Sequence, residues 1–156
     1  METNTCCFIG HRTINETQAL RAKLTGIVEK LITENTVDTF LFGSKSRFND
    51  LCYELVTELK GKYSHIKRVY VRAEFPDISL SYEEYLLQRY EQTYYPEKVI
   101  EAGRAAYVER NREMIEKSKF CVIYYEEGKI PVTRKSGAET ALQYAIKRRK
   151  AIIKLP

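Results

Sequence analysis

No apolar run in the 156-residue chain approaches the roughly 20 residues needed to cross a bilayer. The opening Met1-Glu2-Thr3-Asn4-Thr5 lacks the basic start of a secretory signal and runs at once into a strand-like segment. These absences give the expectation of a cytoplasmic protein with no membrane partner. Cysteine is scarce: Cys6, Cys7, Cys52 and Cys121 form no CxxC pair, and the two histidines are not spaced to complete a zinc site. Buried reduced thiols, no metal and no bound cofactor are therefore expected. The phosphate loop GxxxxGK[ST] and the dinucleotide fingerprint GxGxxG are both missing. No internal repeat divides the chain, so one domain over residues 1–156 is expected.

What is present reads as a folded α/β chain. Apolar residues make up 44% and charged residues 30%, which is globular rather than disordered composition. Thr5 to Ile9 is a short apolar run ending at Gly10. Thr13 and Glu16 then have capping-box spacing ahead of a helical pattern running to about Asn35. Thr39 to Phe42 is a second strand ending at Gly43, followed by a helix with Gly61 just past its end. Lys67 to Val71 is a third strand.

Residues 72–104 break this rhythm with Pro76, Pro96, Gly103 and many tyrosines. Within them Ser81 to Tyr90 reads as a helix capped by Ser81, and the remainder as loop. Regularity returns with a helix over Ala105 to Lys117, a strand over Phe120 to Tyr125, and a polar loop over Glu126 to Lys135. A helix from Ser136 to Arg149 follows, with Ala138, Ala141, Leu142, Ala145 and Ile146 inward, and then a strand over Ala151 to Ile153.

Strands alternating with helices imply a doubly wound, Rossmann-like, mainly parallel five-stranded sheet with helices on both faces and the order 3-2-1-4-5. Such sheets bind ligands outside the carboxyl ends of the strands, where the strand order reverses.

Four strand ends carry polar, anion-suited chemistry. Gly10-His11-Arg12 offers a close backbone approach and a planar guanidinium fork. Gly43-Ser44-Lys45-Ser46-Arg47-Phe48-Asn49-Asp50 is a small, hydroxyl-bearing, basic loop opening a helix, suited to an anion cradle or to an ordinary N-cap at Ser46. Arg72-Ala73-Glu74 adds a cation and a carboxylate at the third strand's end. Lys135-Ser136-Gly137-Ala138-Glu139-Thr140 opens a helix whose free N–H groups form a phosphate seat, with Ser136 and Glu139 also spaced as a capping box. On the helix before the fourth strand, Arg110 and Glu113 are three apart and can pair on one face. A net charge of +5 suits an anionic ligand without implying nucleic acid, and the basic run Lys147 to Lys150 also suits a helix C-terminus.

Gly10-His11-Arg12, the Glu109-Arg110-Asn111-Arg112-Glu113-Met114 helix, the Val122-Ile123-Tyr124-Tyr125 strand and the Ser-Gly-X-X-Thr-Ala helix start at 136–141 together resemble the YpsA-like branch of the SLOG superfamily. That superfamily also holds the LOG phosphoribohydrolases and the DNA-processing protein DprA. The resemblance covers nearly the whole chain. It implies a Rossmann-like fold, a nucleotide or nucleotide-derivative ligand, and a site lined by Gly10, Arg12, Gly43, Ser136 and Gly137. LOG enzymes carry an Arg-Lys-X-X-Met helix, matched by Arg110 to Met114 with Asn111 in place of Lys. Their Pro-Gly-Gly-X-Gly-Thr-X-Glu-Glu loop keeps one glycine here, Gly137. The catalytic Glu position then falls on Thr140, with Glu139 one residue early.

Two function classes follow. One is binding or sensing of a nucleotide, with His11, Ser44, Lys45, Arg72, Arg112, Ala138 and Thr140 completing the site, and Tyr82, Tyr85, Tyr90, Tyr94 and Tyr95 stacking on or covering the base. The other is an N-glycosidase acting on a nucleoside 5′-monophosphate, with Arg110, Glu139 and Glu74 as catalytic candidates. Single-strand nucleic-acid binding is a third, less favoured class, and self-association is compatible with all three.

Overall fold

A computed structural model describes residues 4–43, 45–128 and 136–156. In chain order the elements are β1 (Thr5–Gly10), α1 (Gln18–Glu34), β2 (Thr39–Phe42), α2 (Arg47–Lys60), β3 (Lys67–Val71), α3 (Leu80–Arg89), β4 (Gln92–Tyr94), α4 (Ala106–Glu116), β5 (Phe120–Tyr124), α5 (Gly137–Lys147) and β6 (Ala151–Leu155). The strands form one parallel sheet in the order β4-β3-β2-β1-β5-β6. The five strands read from the sequence take the expected relative order, and the reversal falls between β1 and β5. Among the described residues no helix is long and apolar enough to cross a membrane.

The sheet has six strands rather than five. The extra one, β4, lies in a stretch expected to be loop; three residues are too few to show a period of two. Its neighbour holds it. The Glu91 N–H donates to the Arg68 carbonyl at 2.9 Å, and the Arg72 N–H donates to the Tyr94 carbonyl at 2.8 Å. The Glu91 carboxylate accepts the Arg68 backbone N–H at 2.7 Å, Nε at 3.1 Å and Nη2 at 2.8 Å.

Burial raises the Glu91 carboxyl, but the Arg68 bonds outweigh it and hold the group below its ordinary value. A carboxylate depressed on folding stabilises above its unfolded pKa, and that stability is lost as pH falls through the folded value. Glu91→Gln is thus expected to lower the melting temperature at pH 7, with the gap to wild type closing below about pH 4. Thermal melts of both proteins across pH 3–8 check this; a gap that persists at pH 3 would show that shape, not charge, anchors β4.

Alternation along each strand divides the core. Phe8, Phe40, Phe42 and Val122 face α1 and α2, while Cys7, Ile9, Leu41, Val69, Cys121 and Ile123 face α4 and α5. All four cysteines are free and buried, and desolvation pushes the Cys6 and Cys52 thiols up.

Three helix details depart from the sequence reading. α1 is capped by Thr17, which accepts the Leu20 N–H at 3.1 Å, while Glu16 pairs with Arg21 at 3.1 Å and Arg47 at 2.7 Å. The Thr13–Glu16 spacing is therefore not the cap, because tertiary ion pairs claim the carboxylate. α3 is capped by Ser79, not Ser81, through the Tyr82 N–H at 3.2 Å. Ile146, expected inward, is 59% exposed. α5 packs through the small residues Ala138, Ala141 and Ala145, and one further residue turns about 100° away.

Candidate functional site

Parallel strands end on one edge, so the loops after β1, β2, β3 and β5 converge there. The loop after β2 is shaped by Ser46 and Asn49, both buried. Ser46 caps α2 by accepting the Asn49 N–H at 3.0 Å, and the Asn49 side chain accepts the Gly43 N–H at 3.3 Å. Ser44, a candidate ligand residue, lies outside the described residues.

Arg110 reaches this loop from α4. Its Nη1 donates to the Gly43 carbonyl, its Nε donates to Asn111 Oδ1 at 3.0 Å, and its guanidinium lies 5.6 Å from the Tyr107 ring. A Cβ on Gly43 would stand 2.8 Å from Arg110 Cδ and 2.9 Å from the Val71 carbonyl, so the glycine gives the arginine its path. Arg110 is only 4% exposed and forms no ion pair among the described residues. Burial pushes it below its ordinary pKa, opposed by Tyr70, Tyr107 and Glu74. Its Nη2 makes no hydrogen bond to the protein yet keeps solvent access. A buried guanidinium without a direct ion pair carries a desolvation cost that the more distant Glu74 offsets only in part. Its open donor suits an anion from outside the chain.

Glu74, in the loop after β3, is engaged by Lys45 in an ion pair, which holds the Lys45 ammonium above its ordinary value. Arg72 stays with its own loop: Nη1 donates to the Phe75 carbonyl at 3.2 Å, and the guanidinium lies 5.9 Å from the Tyr95 ring.

A cleft of about 480 Å³ opens between the N-terminus of α2 and α3. Arg12, Lys45, Arg47 and Arg89 give it positive charge, and Tyr70, Tyr82, Tyr85 and Tyr90 give it aromatic walls. Arg47 is engaged by Glu16 and Glu54, and Arg89 lies over Tyr53 and Tyr85. The Arg12 side chain forms no ion pair among the described residues. Tyr82 and Tyr85 stack with ring centroids 6.2 Å apart. Tyr94 and Tyr95 lie elsewhere, on the α4 side of the sheet.

The other candidates gather at the ends of β1 and β5. His11 is buried, its Nε2 accepts the Glu126 N–H at 2.9 Å, and its ring packs against Tyr124 and Tyr125. Gly10 lies under Phe48, whose ring would strike any Cβ there. Ser136 caps α5 through the Glu139 N–H at 3.0 Å and accepts Thr140 Oγ1 at 3.0 Å. Ala138 is buried, whereas a Cβ on Gly137 would meet nothing within 4 Å. Lys135 lies outside the described residues.

The three catalytic candidates therefore separate. Glu74 and Arg110 share the ends of β2 and β3, while Glu139 stands at the start of α5, with no hydrogen bond or ion pair to either. Arg112 turns toward α5, 5.2 Å over Tyr144 and paired with Glu109 at 2.9 Å. Tyr70, Arg89 and Tyr107 were not expected from the sequence. Each lies in an ordinary strand or helix pattern and gains its place only through packing between elements.

Compared with known proteins, the chain matches no protein-family profile, and no curated protein aligns with it significantly.

Proposed function

We propose that the chain binds or senses a nucleotide or nucleotide derivative at the carboxyl ends of its strands. On this reading it is a Rossmann-like member of the SLOG superfamily, close to its YpsA-like branch, and works in the cytoplasm. The observation that carries the proposal is Arg110, a buried guanidinium at the tip of β2 that forms no ion pair among the described residues and has one open donor. The ligand phosphate takes that donor together with Lys45 and the N-terminal end of α2. The base lies along the cleft against the Tyr82–Tyr85 pair, and Arg12 supplies the remaining charge.

A mass-spectrometric inventory of small molecules released on denaturation, followed by calorimetric titration with nucleoside 5′-monophosphates, tests this. The expected result is a nucleotide bound one to one, weakened about tenfold in Arg12→Ala through loss of a charge-assisted bond. An empty protein that binds no monophosphate at low salt would sink the proposal.

The proximity of Glu74 to Arg110 favours one second reading, N-glycoside cleavage of the bound nucleotide. Here Glu74 supports the developing ribosyl cation or activates water, and Arg110 holds the phosphate. Release of free base and ribose phosphate by wild type, but not by Glu74→Gln with binding retained, is its mark. Equal turnover in the variant would dismiss it.

A further inference from the structure

The α4 face of the sheet is incompletely covered. α4 and α5 pack on β1 and β5, and Arg110 and Met114 of α4 also reach Gly43 at the end of β2, while among the described residues the remaining cover beside β2, β3 and β4 comes from residues 95–105, with two short 3-10 turns at Glu97–Val99 and Gly103–Ala105. A cleft of about 620 Å³ remains there, on the opposite face from the tyrosine-lined one. Leu41 and Val69 form its apolar floor, Tyr94 and Tyr95 line one side, and Glu113 enters from α4.

Glu113 is 8% exposed and forms no ion pair among the described residues. Arg110, three residues earlier and its expected partner, is drawn away to Gly43. Tyr94 donates its hydroxyl to Glu113 Oε2 at 3.1 Å. Oε1 makes no hydrogen bond and keeps solvent access. Burial and the Glu113 charge both push the Tyr94 phenol up, so it stays a donor at neutral pH. Lys117, just past the end of α4, lines the cleft together with Glu97 and Lys98, and neither lysine pairs with the Glu113 carboxylate.

The geometry points to a second small-molecule site, for an organic cation with a primary ammonium head and a compact apolar body. The buried carboxylate needs a positive partner to offset its desolvation. Oε1 offers one accepting position beside the Tyr94 bond, where an ammonium gains a charge-assisted bond that a neutral donor does not, and Tyr94 and Tyr95 add aromatic lining to the cleft. The apolar body then covers Leu41 and Val69. The cleft has the size of ordinary ligand pockets. Nothing here depends on nucleotide binding.

Titration of the full chain with benzylammonium, followed by calorimetry and by amide chemical shifts, tests the assignment, with benzyl alcohol as the uncharged probe. Benzylammonium is expected to bind in preference to the alcohol and to shift amides of β4 and α4. Glu113→Gln should weaken it about tenfold or more, the effect of losing a charge-assisted bond. Tyr94→Phe keeps the carboxylate and should retain the preference for the cation, while Lys117→Met should bind as tightly as wild type or tighter. Equal binding of the two probes overturns the proposal, as does Glu113→Gln binding like wild type. Binding confined to Lys117→Met overturns it as well, because the carboxylate then already serves Lys117. Should Glu113→Gln fail to fold, the charge preference in wild type and in Tyr94→Phe decides the matter: its absence rejects the site.

Discussion

Arg110→Met is expected to lose nucleotide binding more than a hundredfold while melting at or slightly above the wild-type temperature. The two effects have one cause. Arg110 is 4% exposed, and no carboxylate among the described residues forms an ion pair with it. In the free protein its charge carries a desolvation cost of several kcal/mol. Methionine has similar length, fills the space beside Gly43 and removes that cost. Against this stands the Gly43 carbonyl, which loses its donor at about 1–3 kcal/mol. The sum is near zero or favourable.

With ligand the sign reverses. Removing one member of a buried, hydrogen-bonded charge pair costs about 3 kcal/mol or more, which is over a hundredfold in affinity. Calorimetry with the 5′-monophosphate that binds wild type best, beside thermal melts of both proteins without ligand, reads the two effects separately. Undiminished binding would move the phosphate seat away from Arg110. An unfolded variant would show that the arginine is kept to hold the β2 loop together.

Gly10→Ala is expected to destabilise the fold by about 3 kcal/mol, at the upper end of overpacking costs. The added Cβ would lie 2.4 Å from Phe48 Cδ2, 2.6 Å from Cγ and 2.8 Å from Cβ. Phe48 has no slack: it is fully buried, and its ring centroid is 5.4 Å from that of Tyr124. Either β1 or α2 must move, and α2 carries the Ser46 cap and the loop that holds Arg110. For a chain of this length the melting temperature should fall by about 6–12 °C. Phe48→Ala alone should also cost about 3–5 kcal/mol. The double variant should lose at least 1 kcal/mol less than the sum, because each substitution relieves the other. Urea unfolding of the four proteins measures this. Strict additivity would show that Phe48 is not what excludes a side chain at position 10.

That glycine shows how far the sequence reads. Gly10 marks the end of the first strand in the sequence and ends it in the structure. The sequence reads it as room for a ligand's approach or a sharp turn; the structure shows a packing reason that no local pattern contains: Phe48, 38 residues away and beyond a second strand, fills the space a side chain would need. The caps divide the same way. Ser136 caps α5 as its spacing implies, and Ser46, at the start of the second helix, caps α2. Glu16, read as part of the first cap, is taken by Arg47, 31 residues on.

The sequence by itself determined the alternation of strands and helices, the order of five of the six strands, and the convergence of the glycine-ended loops on one edge. These follow from short-range periodicity and from the handedness of parallel crossovers, which every chain of this pattern shares. Only the tertiary structure decided which charged groups lose their solvent. Arg110 and Arg112 are two residues apart in one motif, yet about 200° of helix rotation separates them. One is sealed against Gly43 at the strand ends, and the other lies over Tyr144 on the flank of α5. Glu113, spaced to serve Arg110, instead meets a tyrosine from a strand too short to announce itself. Spacing fixes the direction a side chain leaves its helix; what it meets there, and so whether its charge is paired, is set by which neighbouring element packs against that side.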